Sequence, residues 1–200
     1  TVKLDRTGVI EYCSDYLATL SGHELSSLIG QPWVASIIPP EQQTEVTQTL
    51  QRQLRDDAAP SVDEYPIQCK RGLPRLVRWH TVQRHDAGGV VIGLICFGED
   101  VTEERQHSDE ARLAATVFES TSEAVMICDI QQRIIKANRA CQEITGYGIR
   151  ELIGKRPLFS RIDYNGVDKE LDRFFDEARQ QGSWQGETWD RRASGEVFPA

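Results

Sequence analysis

The sequence predicts an α+β protein built from two copies of one small domain. Three observations support this prediction: a long internal repeat, an order of strands and helices that suits an antiparallel sheet, and a charged helical stretch between the copies. The repeat returns after 124 positions, too long a period for a solenoid unit and suited to whole domains in tandem. The matched positions are Ile10, Gly22 and 28–30 in the first copy, and Ile134, Gly146 and 152–154 in the second.

The first copy begins with two strand-like stretches, 2–5 and 9–12, separated by a turn that contains Gly8. Ser14 is placed to cap a short helix that Gly22 ends, and 23–28 forms another helical turn. Prolines at 39–40 favour entry into a longer helix that runs to about residue 55. Three strand-like stretches follow at 62–69, 75–84 and 89–98, with Gly-containing turns between them. This order of elements is typical of an α+β domain with an antiparallel sheet.

The stretch 101–118 is predicted to be a stiff helical connector, because it is charged and contains neither Pro nor Gly. The second copy then repeats the pattern. We expect strands at 124–128 and 133–137, helices at 139–145, 149–153 and 167–181, and strands at 184–192 and 196–200. We therefore divide the chain into a first domain at 1–100, a connector at 101–118 and a second domain at 119–200. The second copy lacks the last strands of the first, so its sheet is expected to continue in the natural protein.

Composition excludes several classes of function. A net charge of −8 argues against a basic nucleic-acid-binding face. The longest nearly apolar run, 89–98, is far short of the roughly 20 residues needed to span a bilayer, so no membrane contact is expected of this segment. The five cysteines are an odd number without metal-ligand spacing, which favours reduced structural thiols and a cytoplasmic location. No nucleophile–base pair or phosphate-binding Gly-rich loop is evident, so the segment is not expected to be an enzyme.

Both halves resemble PAS domains. The first contains LSGHELSSLIG, RLVRW and GEDVTEER; the second contains ANRACQEITGYGIRELIGK and WQGETWDRRASGEVFP. The resemblance covers the whole chain apart from the missing end of the second copy. It implies, for each domain, a five-stranded antiparallel sheet with helices over one face and a ligand cavity between them. It also implies that Asp100 and Thr102 form the Asp-x-Thr element that relays signals at the domain exit. A simple helix cap is the alternative role for this pair.

The resemblance also allows tests for particular cofactors. Thiol–flavin photochemistry is excluded, because Pro157 stands where the reactive cysteine of that subfamily belongs. Haem is not expected, because neither long helix contains a histidine, and no metal is expected. Non-covalent FAD or FMN in the second domain stays open, with Trp184 or Trp189 stacking on the ring and Asn138 contacting its pyrimidine edge. Asp190 departs from the Asn that such sensors often have, and the tryptophans could equally serve packing. Trp33, Tyr65, Arg78 and Trp79 are candidate pocket residues of the first domain, although strand alternation alone does not decide which of them faces inward.

The sequence therefore predicts a cytoplasmic sensory module of a bacterial signalling protein that responds to a small molecule or to redox state. Its likeness to regions that precede cyclic-di-GMP synthases and phosphodiesterases is greater than its likeness to those that precede histidine kinases. The expected partners are a C-terminal output domain and a second copy of the chain, bound through the connector and flanking helices. The connector stripe of Ala111, Ala114, Ala115 and Phe118 motivates the dimer. A ligand-free dimerisation and relay spacer is the alternative function.

Overall fold

The structure is a computed structural model that describes residues 1–55, 58–157 and 169–200, the side chains of 169–174 excepted. The chain divides into two compact units, 1–109 and 110–200. The division falls inside the helix predicted at 101–118, so the finer boundaries at 100 and 118 stay a prediction.

The first unit contains one antiparallel sheet in the order β2-β1-β5-β4-β3. The strands are β1 (Val2–Asp5), β2 (Ile10–Cys13), β3 (Ser61–Ile67), β4 (Arg75–His85) and β5 (Val91–Asp100). A single row crosses four of these strands, because Val2 is paired with both Cys13 and Cys96, and Cys96 with Thr81. All four side chains of this row are buried, which fixes the inner face of the sheet.

Helices cover that inner face. They are α1 (Asp15–Ser21), α2 (Leu25–Leu28), α3 (Trp33–Ile37) and α4 (Gln43–Gln53), with a 3-10 turn at Pro40–Gln42 before α4. The Ser14 hydroxyl accepts a hydrogen bond from the Leu17 amide, and Gly22 ends α1 in the left-handed conformation, as the sequence predicts. Val46 and Leu50 of α4 are buried against the sheet. The predicted α+β class and the five-stranded sheet are thus confirmed for this unit.

α5 (Thr102–Ser120) follows β5 directly and is unbroken along its length. Its predicted end at 118 is two residues short. The sequence did not predict α3, because a five-residue helix shows too few turns for its periodicity to be recognised.

The second unit repeats the first half of this plan. It contains β6 (Met126–Cys128), β7 (Ile134–Ala137), α6 (Arg139–Thr145), α7 (Ile149–Leu152), α8 (Lys169–Gln181), β8 (Trp189–Arg191) and β9 (Val197–Pro199). β6 pairs with β7 and β8 with β9, so the described sheet is smaller than in the first unit. Ile134, Cys141 and Leu152 lie at its core.

The predicted strand 184–192 is wrong at its start, since β8 begins only at Trp189. The Trp184 ring lies over Gly186, where an added Cβ would come within 2.5 Å of the ring. Residues 183–188 thus precede β8 without forming a strand. β8 and its antiparallel partner β9 are each three residues long.

Backbone hydrogen bonds align the two copies more closely than their sequences do. The Lys70 amide donates to the Ser21 carbonyl at 2.9 Å, and the Ala193 amide donates to the Thr145 carbonyl at 2.8 Å. Ser21 and Thr145 are equivalent in the repeat, so Lys70 and Ala193 are equivalent as well. Ile67 and Asp190 lie three residues before Lys70 and Ala193, so they occupy equivalent positions in the two copies.

Candidate functional site

Three aromatic rings occupy the interior of the first unit. Trp33 is on α3, Tyr65 on β3 and Trp79 on β4, and Trp33 and Trp79 are 0% and 1% exposed. The two indoles meet edge to face with centroids 5.2 Å apart, and Tyr65 stacks on Trp79 with centroids 5.7 Å apart. These are favourable aromatic geometries. Three of the four candidate pocket residues of this domain therefore lie together in the core.

The polar atoms of these rings have no hydrogen-bond partner among the described residues. They are the indole Nε1 atoms of Trp33 and Trp79 and the hydroxyl of Tyr65, all fully buried. Burial raises the pKa of Tyr65 well above its usual value, although the nearby Trp33 indole and its N–H oppose that shift. The Trp33 N–H lies near the Tyr65 hydroxyl, but the distance and angle between them do not form a hydrogen bond. A buried polar group without a partner is costly, so three in one cluster mark this region as a candidate ligand site.

Gly98 makes the position of Trp79 possible. It is the cross-strand partner of Trp79, and a Cβ there would lie 2.7 Å from Cζ3 and 2.9 Å from Cη2 of the indole. Such distances are below van der Waals contact, so the ring occupies the space that a side chain would fill. Glycine is thus required at position 98 for this aromatic arrangement.

The thiol nearest these rings is protonated. Cys96 is fully buried and burial raises its pKa to about 11, while the Thr81 hydroxyl, 3.6 Å from its sulfur, acts in the opposite direction. A thiol with such a pKa is a poor nucleophile and a poor redox sensor. All five cysteines are unpaired, in agreement with their predicted reduced state.

Arg78, the fourth candidate, points the other way. Because strand neighbours alternate between faces, it lies on the outer face of the sheet while Trp79 lies inside. Its Nε donates to Glu64 Oε1 at 2.9 Å, and the other oxygen of Glu64 accepts from Arg105 Nη2 at 2.6 Å. The hydrogen bond from Arg105 lowers the pKa of the Glu64 carboxyl most, and the one from Arg78 lowers it further. Glu64 therefore joins β3, β4 and the first turns of α5.

The residues of the predicted relay meet at the exit of the first unit. The Asp100 carboxylate accepts hydrogen bonds from the Thr102 amide at 3.0 Å and from the Thr102 hydroxyl at 2.5 Å. The Thr102 hydroxyl oxygen accepts from the Leu76 amide at 2.9 Å, and the Leu76 carbonyl accepts from the Val101 amide at 2.9 Å. The start of α5 is thus bonded to β4 as well as to β5. Asp100 caps the helix through Thr102, and Thr102 also binds β4; the relay role of this pair stays a prediction.

Asn138 is a structural residue of the second unit. It is fully buried and caps α6, with its Oδ1 accepting from the Cys141 amide at 2.9 Å and from the Val125 amide at 3.0 Å. Its Nδ2 donates to the Glu123 carbonyl at 2.8 Å. Three backbone contacts already use this amide, so its predicted place on a flavin edge gains no support from the geometry.

The two tryptophans of the predicted flavin site do not enclose a common space. Trp189 is 58% exposed, and Trp184 is half-buried with its ring over Gly186. Asp190, the middle residue of β8, is 3% exposed. Burial raises the pKa of the Asp190 carboxyl. The flavin assignment stays a prediction, and the residue that faces the interior here is an acid where the first copy has Ile67.

Sequence reasoning missed the roles of Gly98, Glu64 and Arg105. Gly98 is one of several glycines near strand ends, and only the ring above it distinguishes it. Glu64 and Arg105 are 41 positions apart, and no local pattern links them. In the parts of the chain that the structure describes, no His, Cys, Asp and Glu side chains group into a metal site. Over the same residues, none of the helices has the length and apolar character of a membrane span.

Comparison with known proteins agrees with this architecture. Residues 1–106 match the family described as PAS fold, and residues 112–179 match the family described as PAS domain. Three solved structures illustrate the similarity. The N-terminal domain of a diguanylate cyclase with PAS/PAC sensor from Marinobacter aquaeolei is 23% identical, covering 52% of this chain and 95% of that one, with a TM-score of 0.46.

The second is a sensory box histidine kinase/response regulator from Burkholderia thailandensis. It is 19% identical, covering 57% of this chain and 86% of that one, with a TM-score of 0.46. The third is a quorum-sensing receptor PAS domain from Cronobacter turicensis in complex with BDSF. It is 24% identical, covering 50% and 91%, with a TM-score of 0.43.

Proposed function

Because the chain belongs to the PAS family, we propose that it is a sensory and regulatory module of a bacterial multidomain signalling protein. PAS domains are sensory and not catalytic, so the segment itself carries out no reaction. In this proposal it lies in the cytoplasm, detects a small molecule or a redox state, and passes the signal to a C-terminal output domain. A diguanylate cyclase or phosphodiesterase output is favoured over a histidine kinase on the resemblance of the flanking sequences.

The observation that carries the proposal is the bonded exit of the first unit. β4 carries Trp79 on its inner face and Leu76 at the exit, and β5 carries Gly98 under the ring and Asp100 two residues later. A change in the aromatic interior therefore displaces the same two strands that hold Thr102. Displacing these strands would alter the bonds that start α5, which is the coupling a sensor needs.

The Trp79→Phe variant tests this coupling. We expect it to speed amide hydrogen exchange at 102–106, because the smaller ring alters the strands that anchor Thr102. Leu50→Val is the control, since it reduces the volume of the same core from α4 and leaves every residue of β4 and β5 unchanged. Equal exchange at 102–106 in wild type and Trp79→Phe would contradict the relay. It would leave the ligand-free spacer as the better description.

We also propose that the chain forms a homodimer through α5. Leu113 and Val117 are 65% and 60% exposed, and the three alanines of the predicted stripe are exposed as well. The stripe lines an open apolar groove of about 790 Å³ in the second unit, together with Ile127 and Ile135. A contiguous exposed apolar surface formed by these side chains favours association with a second copy of the chain.

Replacing Ala114 and Ala115 with Glu should lower the mass measured by light scattering. Thr116→Glu is the matched control, because Thr116 lies on the opposite side of the helix and is also exposed. An unchanged mass in the double variant, or an equal loss in the control, would argue against this interface.

A further inference from the structure

Among the described residues of the first unit, the buried side-chain polar atoms without a partner are the N–H or O–H groups of Trp33, Tyr65, Trp79 and Arg84 and a single acceptor, Gln53 Oε1. Donors therefore exceed acceptors. An indole N–H can only donate, and the structure places two of them, from Trp33 and Trp79, in a core where neither has a partner among the described residues. The Tyr65 hydroxyl adds a third donor that is equally unpartnered. An occupant that satisfies this set must present a hydrogen-bond acceptor.

The charge of the surroundings narrows the class of occupant. The buried polar residues of the first unit, among those described, are Ser21, Gln53 and Thr81, all uncharged. Asp63 lies on the same side of β3 as Tyr65, and its negative charge acts on both Tyr65 and Cys96. No cationic side chain of the first unit is buried among the described residues, and the positive charge that reaches Cys96 is the α-amino group of Thr1, which already donates to the Ser14 hydroxyl at 2.9 Å. A carboxylate or phosphate would therefore lose its hydration with little compensation. The occupant is therefore uncharged.

The aromatic geometry sets the shape of the occupant. The rings pack at centroid distances of 5.2 and 5.7 Å, so a guest must take the place of an existing aromatic contact. Trp33 is the ring best able to yield, because α3 is five residues long and has no side-chain cap at Pro32. Tyr65 and Trp79, by contrast, belong to paired strands. A small planar body can replace an edge-to-face indole contact with a similar one.

We infer that the first unit binds a small uncharged molecule with an apolar or aromatic body and a carbonyl-type oxygen, which accepts hydrogen bonds from Trp33, Trp79 and Tyr65. This inference rests on the proposed sensory function and names the ligand class for its first domain. It assigns the ligand-taking role to the first copy, because the second has Pro157 at the position equivalent to Trp33.

Three probes of similar size separate the chemical classes. Acetophenone has an aromatic ring and a neutral carbonyl, cumene has the ring without an acceptor, and benzoate has the ring with a charged acceptor. The chain contains four tryptophans, so a ¹H–¹⁵N spectrum shows four indole N–H signals, which the Trp33→Phe and Trp79→Phe variants assign. Acetophenone should shift the Trp33 and Trp79 signals saturably, whereas cumene and benzoate at equal concentration should not.

The Tyr65→Phe variant removes one donor and, because the hydroxyl has no partner, should fold normally. It should weaken acetophenone binding about 2- to 10-fold, the effect of one uncharged hydrogen bond. Tyr16→Phe is the control, since Tyr16 is exposed on α1 and its change should leave binding unaltered.

The outcomes are separable. Equal shifts with cumene, tighter binding of benzoate, or no shift at Trp33 and Trp79 would each overturn the inference. Shifts confined to Trp184 and Trp189 would overturn it while leaving the sensory function intact, with the second domain as the receptor. If denaturing mass spectrometry of the purified parent protein also finds no small molecule, and no indole signal responds, the sensory proposal fails together with the inference.

Discussion

Replacing Gly98 with alanine should destabilise the first unit through a steric conflict with Trp79. The new methyl group would lie 2.7 and 2.9 Å from two indole carbons and 2.8 Å from Val77 Cγ1. Trp79 cannot rotate away freely, because Trp33 and Tyr65 pack against it. Overpacking a well-filled core in this way costs about 1–3 kcal/mol.

Thermal unfolding measures this cost. One kcal/mol lowers the Tm of a domain of about 100 residues by about 4–8 °C, so the Gly98→Ala variant should lose at least about 4 °C. Gly88→Ala is the matched control. Gly88 lies in the exposed turn before β5, and a Cβ there meets only the Asp86 side chain, at 3.3 Å. Its stability should change by no more than about 1 kcal/mol.

A double variant isolates the contact. Trp79→Phe removes the two indole carbons that come closest to position 98, so Gly98→Ala should be tolerated better in that background. A coupling of at least about 0.5 kcal/mol between the two substitutions is expected for side chains in direct contact. Additive effects, or a Gly98→Ala variant as stable as the wild type, would refute the assignment of Gly98 as the space for the ring.

Three further predictions concern charges and caps. Glu64→Gln should remove the stabilisation that Arg105 and Arg78 give to the carboxylate. Because the pKa of Glu64 in the folded state lies below 4.5, this stabilisation is present at neutral pH and is lost as pH falls through the folded pKa. The melting temperatures of wild type and variant should therefore converge in acid. Asn138→Ala should cost more stability in chemical denaturation than Ser14→Ala, about 1–3 kcal/mol, because it also leaves buried backbone groups unpaired. The Asp190 carboxyl should show a pKa above 3.8 when titrated by ¹³C NMR. Its contribution to stability is then greatest in acid and is lost as pH rises through the raised pKa. A measured pKa at or below 3.8 would contradict the burial of this carboxyl.

The repeat allowed most of the fold to be predicted. Elements with a clear cap or an alternating pattern were placed closely, such as α6, whose ends at 139 and 145 agree with the structure. The errors have local physical causes. α3 is too short to show a period, and in the stretch predicted as a strand from 184 the Trp184 ring lies over Gly186 and the strand begins only at Trp189. Both effects depend on packing that a window of sequence does not contain.

The candidate site was predictable only in part. Trp33, Tyr65 and Trp79 were named as candidate pocket residues and lie together in the core, but strand alternation could not exclude Arg78 until the register of β4 was known. Asn138 was named as a candidate flavin contact, and its structural role as the cap of α6 was not predicted, because the Val125 and Glu123 groups that it binds lie 13 and 15 positions away. Links between distant residues, such as Glu64 with Arg105, have no sequence signature in a single chain.

The paired backbone bonds at Ser21 and Thr145 have an evolutionary consequence. They hold equivalent points of the two copies through main-chain atoms, so these bonds do not depend on which side chain lies three residues earlier. Buried Ile67 in one copy and buried Asp190 in the other are then two side chains at equivalent positions of the same backbone framework. After duplication, each copy can therefore change this buried side chain while the backbone contact at Ser21 or Thr145 is kept.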